Sequence, residues 1–85
     1  MNLIQERLNT LTAAAEARAR EIMHYQINID NYSRAIVEIG DDPAMQDFAM
    51  QLRDLLTSSR IEQAKEQILL KVIRDQLEEA ACTSS

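Results

Sequence analysis

The sequence contains no tryptophan, one glycine, one proline, one cysteine and one histidine. Each scarcity removes a class of chemistry. A single cysteine, Cys82, excludes an internal disulfide. His24 and Cys82 together are too few for a zinc site, which draws several ligands from Cys and His. One glycine cannot supply the repeated glycines that cradle the phosphates of a nucleotide. Nucleophilic catalysis needs a base beside Ser or Cys, and no Ser or Cys lies three or four positions from His24. The adjacent carboxylates Asp41/Asp42 and Glu78/Glu79 read as a turn and a solvated helix end. No catalytic residue, cofactor or metal is therefore expected, and the chain does not read as an enzyme.

Aromatics are limited to Tyr25, Tyr32 and Phe48, which is no platform for stacking bases. Fourteen acidic residues against nine basic ones give a net charge of −5. Nucleic acid, which is bound through clustered Lys and Arg, is not an expected partner. No stretch approaches the ~20 apolar residues of a membrane span, and no basic start followed by an apolar run suggests a secretory signal. A cytoplasmic location is the expectation. The 85 residues form one small domain, of a size at which a single core rarely contributes more than roughly 3–5 kcal/mol.

What the chain does have is helical periodicity. Its one glycine and one proline fall together in Gly40-Asp41-Asp42-Pro43. Glycine suits the position just past a helix end, Asp42 suits an N-cap and Pro43 a first helical turn. This reads as a connector between helices at about 2–39 and 43–80. The first starts at Asn2, with Gln5 completing a capping-box-like pair. Its 3–4 spacing of Ile4, Leu8, Leu11, Ala15, Arg18, Ile22, Tyr25, Ile29, Tyr32, Ile36 and Ile39 is that of a helix lying along another. The segment 27–31 is a weaker helix former, and whether the first helix runs unbroken through it is left open by the sequence. The second seam runs through Met45, Phe48/Ala49, Leu52, Leu55/Leu56, Ser59, Glu62/Gln63, Glu66, Leu69/Leu70, Ile73, Leu77 and Ala80, apolar at both ends and polar in the middle.

Folding the chain at Asp41 sets residue i opposite about residue 82 − i. Arg18 then meets the polar middle of the second seam, so an Arg18–Glu66 or Arg18–Glu62 pair is expected. The fold class is all-α: an antiparallel two-helix hairpin forming one domain over 1–81, with 82–85 a disordered tail. Its seam is assigned to Leu8, Leu11, Arg18, Ile22, Ile29, Ile36, Leu52, Leu56, Glu66, Leu70, Ile73 and Leu77.

Two helices share one seam, yet more apolar residues are present than one seam uses. Ile61, Ala64, Ile68 and Val72 read as a face next to the seam of helix two. Met23, Ile27 and Val37 lie outside the heptads of helix one. Contiguous exposed apolar surface marks interaction sites, so Met23, Ile27, Val37, Ile61, Ile68 and Val72 are assigned to partner binding. Either a second copy, giving a four-helix bundle, or a groove on another protein satisfies them.

Arg7-Leu8, Ala15-Glu16-Ala17-Arg18, Asp42-Pro43 and Ile61-Glu62-Gln63-Ala64 leading into Ile68-Leu69-Leu70 carry a resemblance to a known family. The chain resembles the small E components of type III secretion systems, the YscE-like co-chaperones of the needle subunit. The Ile-Glu-Gln-Ala stretch looks most like the branch found in systems that operate inside host vacuoles. The long first helix and the polar middle of the second depart from the pattern. The resemblance implies a cytoplasmic virulence-associated chaperone role in protein transport. Paired with a larger helical-repeat chaperone, the protein would keep the needle subunit from polymerising before export. A self-assembling structural protein, homodimeric or needle-like, and a small phage-type regulatory or inhibitory binding protein are the alternatives.

Overall fold

The computed structural model describes residues 2–83. Two long helices, α1 (Leu3–Ile39) and α2 (Gln46–Thr83), pack antiparallel against each other, with one 3₁₀ turn at Pro43–Met45 leading into α2. The molecule is a rod of 63 × 19 × 14 Å.

The helix ends follow from their capping residues. Asn2 is extended and its side-chain oxygen accepts from the backbone N–H groups of Ile4 and Gln5, at 3.0 and 3.3 Å. The Gln5 side-chain nitrogen donates forward to Asn9 Oδ1 at 2.9 Å. At the other end Gly40 takes φ +55° and its N–H donates to Ile36 O, the left-handed geometry that favours glycine. Asp42 accepts from Ala44 N at 3.0 Å, and Pro43 occupies the first turn. Gln46 then reaches back, its side-chain nitrogen donating to the carbonyls of Gly40 (3.1 Å) and Asp42 (2.9 Å). That side chain fastens the turn to the start of α2.

α1 is unbroken through 27–31, because Ile29 in the middle of that segment is buried against α2, and tertiary packing overrides a weak propensity. Helix two opens with the 3₁₀ turn rather than directly as an α-helix. It also continues past Ala80, through Cys82 to Thr83, so these two positions are helical instead of belonging to a disordered tail. The Leu77-Glu78-Glu79-Ala80-Ala81 run is made of strong helix formers, and no Gly or Pro stops it. Ser84 and Ser85 lie outside the described residues.

Ile29, Ala49, Leu52 and Leu70 are buried, while Leu8, Leu11, Ile22, Ile36, Leu56, Ile73 and Leu77 are half-buried along the same line. Where two apolar neighbours competed for the second seam, Ala49, Leu56 and Leu70 turn inward and Phe48, Leu55 and Leu69 remain exposed. Contacts across the hairpin join Arg7 to Gln76, Arg18 to Glu66 and Ile22 to Gln63. Residue i therefore lies opposite about residue 84 − i, a shift of two from the expected register. The shift places the short Ala80 across from Ile4, which is 70% exposed. Met45, also expected in the seam, is exposed because it belongs to the 3₁₀ turn that precedes the α-helical phase of α2.

Candidate partner-binding surfaces

The polar middle of the hairpin is a small hydrogen-bonded belt. Arg18 Nη1 donates to both carboxylate oxygens of Glu66, at 3.1 and 3.0 Å. The Arg18 side chain is 41% exposed and that of Glu66 17%. Glu62 instead accepts from Lys65 at 2.9 Å on the surface of α2. One turn along, the Gln63 side chain donates to the Ile22 carbonyl (3.2 Å) and to the Gln26 side chain (2.9 Å), and Gln26 donates in turn to Asp30. No buried side-chain polar atom among the described residues lacks a partner. Hydrogen bonds and charge from Glu62 and Asp75 hold the Lys65 and Lys71 ammonium groups above their ordinary pKa.

On either side of the seam runs a pair of rows, one on each helix, with seven residues between successive members. Seven residues make about two helical turns, so such rows keep step with the seam and flank it. On one side α1 contributes Arg7, Ala14, Glu21, Asn28 and Ala35, and α2 contributes Phe48, Leu55, Glu62, Leu69 and Gln76. The 3.2 Å hydrogen bond from Arg7 to Gln76 joins the first member of one row to the last of the other. Both rows therefore lie on the same side. Phe48, Leu55 and Leu69 form a ridge there, 44, 47 and 43% exposed, beside the short Ala14 and Ala35. The opposite side carries Gln5, Thr12, Ala19, Gln26 and Ser33 on α1 and Gln46, Arg53, Arg60, Gln67 and Arg74 on α2. It is polar, and its α2 row is basic.

The residues assigned to partner binding do not form one surface. All six are exposed, from Val72 at 50% to Val37 at 79%. Ile68 lies two positions before the buried Leu70 and Ile27 two before the buried Ile29, each about 200° around its helix. Ile61 is turned about 180° from Leu70 by the same count. These side chains point away from the seam in opposite directions, not along a face beside it. Met23 and Ile27 neighbour each other on α1, and Val37 stands apart near the turn with Ser33, Arg34 and Glu38. Val72 alone adjoins the apolar ridge, one turn beyond Leu69. The seam positions Leu8, Leu11, Arg18, Ile22, Ile29, Ile36, Leu52, Leu56, Glu66, Leu70, Ile73 and Leu77 are all buried or half-buried between the helices.

The ridge residues Phe48, Leu55 and Leu69 were legible as apolar heptad positions. Because each sits next to another apolar residue, they read as alternatives for the seam and not as a row of their own. Among the described residues no cluster of His, Cys, Asp or Glu has the arrangement of a metal site, and no helix is long and apolar enough to cross a membrane. No protein-family model, curated protein or solved structure matches the chain.

Proposed function

We propose that the protein acts by binding another helical protein, and that its role is that of a small cytoplasmic co-chaperone of a type III secretion needle subunit, joined to a larger helical-repeat chaperone. One observation carries the binding reading: the hairpin leaves its apolar ridge of Phe48, Leu55 and Leu69 uncovered on one side only, the other side being polar. A helix laid beside that ridge would remove it from water, and apolar burial drives most protein association. The finer reading rests on the resemblance of the Arg7-Leu8, Asp42-Pro43 and Ile61-to-Leu70 segments.

A second reading is favoured by the same ridge, which a further copy of the chain also fits; this is the self-assembling structural protein. Affinity capture of the tagged protein from its own host, with mass spectrometry and light scattering of the eluate, separates the two. A helical-repeat chaperone recovered with a small needle-like subunit is the expected result. A chain that elutes with copies of itself alone rejects the co-chaperone role.

A further inference from the structure

We infer that a second copy of the chain covers the apolar side, the two hairpins lying face to face about a two-fold axis parallel to their long axis. This goes beyond the function proposed above, because it concerns what occupies the face when no other partner does.

The inference rests on the order of side chains in the two rows. A two-fold axis along the rod exchanges the helices, so α2 of one copy lies over α1 of the other and each residue keeps its level. In the 84 − i register, Leu69 of one copy then meets the level of Ala14 of the other, and Phe48 meets that of Ala35. Two of the three large members of the α2 row, Phe48 and Leu69, thus fall on the small members of the α1 row, while Leu55 meets the level of Asn28. Arg7 and Gln76, already hydrogen-bonded within one chain, meet their counterparts at the open end. The pairing is isologous, as closed dimers require. All neighbouring helices run antiparallel, as in an up-and-down four-helix bundle. A face of 63 × 19 Å has a footprint of roughly 1,200 Å², against about 800 Å² per partner in a stable interface.

One layer opposes this pairing. Glu21 and Glu62 share a level midway along the rows, so the dimer gathers four carboxylates there. Lys65 offsets each Glu62, while His24 stands 3.9 Å from Glu21. The consequence is a dimer that is specific in register yet weakened at its centre, and therefore open to displacement by a partner.

The test is sedimentation equilibrium of the full chain over a concentration series, with variants on both sides. The wild type is expected to dimerise reversibly. Leu69→Ser is expected to weaken the dimer at least about tenfold, roughly 1.4 kcal/mol, with helicity retained by circular dichroism. Glu21→Gln with Glu62→Gln is expected to tighten it by a similar factor, and Arg60→Glu on the polar side to leave it unchanged. Orientation is read in a Cys82→Ser background by oxidising a mixture of Ala14→Cys chains with Leu69→Cys chains, which should give a covalent heterodimer. A chain monomeric at all concentrations overturns the inference. So does a dimer indifferent to Leu69→Ser, or one that cross-links Ala14→Cys to Asn28→Cys instead, the signature of an axis across the rod. Host capture reads the co-chaperone role independently, so either idea can fail alone.

Discussion

Gly40 and the Arg18–Glu66 pair are the two places where single residues decide local geometry. Gly40 combines φ +55° with ψ −130°, a region nearly closed to residues with a Cβ, and an added Cβ would meet only Val37 O at 3.9 Å. The penalty for a side chain is thus in the backbone and not in a clash. Gly40→Ala is expected to cost about 1–3 kcal/mol, read as a lower urea midpoint with an unchanged slope. The Arg18–Glu66 pair is partly open to water, so a double-mutant cycle is expected to return a coupling of about 0–1 kcal/mol. Replacing both residues by Leu is expected to raise the urea midpoint, because desolvating an ion pair offsets most of its attraction. A fall in the midpoint would make the pair a real contributor to stability. Sequence pointed to both features, since Gly40 is the only glycine and Arg18 the only charged residue in its seam. It did not point to Gln46, whose two bonds to the turn depend on a rotamer that no spacing rule supplies.

At the scale of the helices, the hairpin was legible because two independent signals agreed: one turn sequence, and two polar interruptions that coincide only when the chain folds back. The phase of α2 was less legible. Adjacent apolar pairs at 48/49, 55/56 and 69/70 let either member face inward. Once Ala49, Leu56 and Leu70 turn in, the other members form the ridge. The same phase puts Ile61 and Ile68 on the outside of α2, where they cannot join a row beside the seam. Leu70→Asp and Ile68→Asp separate these positions. Leu70 is 6% exposed and Ile68 65%, so a carboxylate at 70 must be buried without a partner while one at 68 stays in water. Leu70→Asp is expected to abolish the cooperative thermal transition seen by circular dichroism, and Ile68→Asp to leave both the transition and self-association intact. Loss of association in Ile68→Asp would return the interface to the outer face of α2.

As a whole, the molecule is a thin rod whose interior is one line of contact. Ile29, Ala49, Leu52 and Leu70 are buried within it, and most other apolar residues keep part of their surface in water. Such a hairpin gains more from a third or fourth helix than from improvement of its own seam, because its flanks are where apolar area remains to be removed from water. The two flanks are chemically unlike, an apolar ridge beside small residues on one and glutamines with Arg53, Arg60 and Arg74 on the other. On the proposed reading, that asymmetry makes the apolar ridge the side a neighbour takes, whether the neighbour is a second copy or a different protein. The direct test is site-specific photo-cross-linking in the producing cell, with benzoylphenylalanine placed at Phe48 on the ridge or at Arg60 on the polar side. A discrete cross-linked product is expected from position 48 and none from position 60; a product from position 60 alone would place the binding side on the polar flank instead.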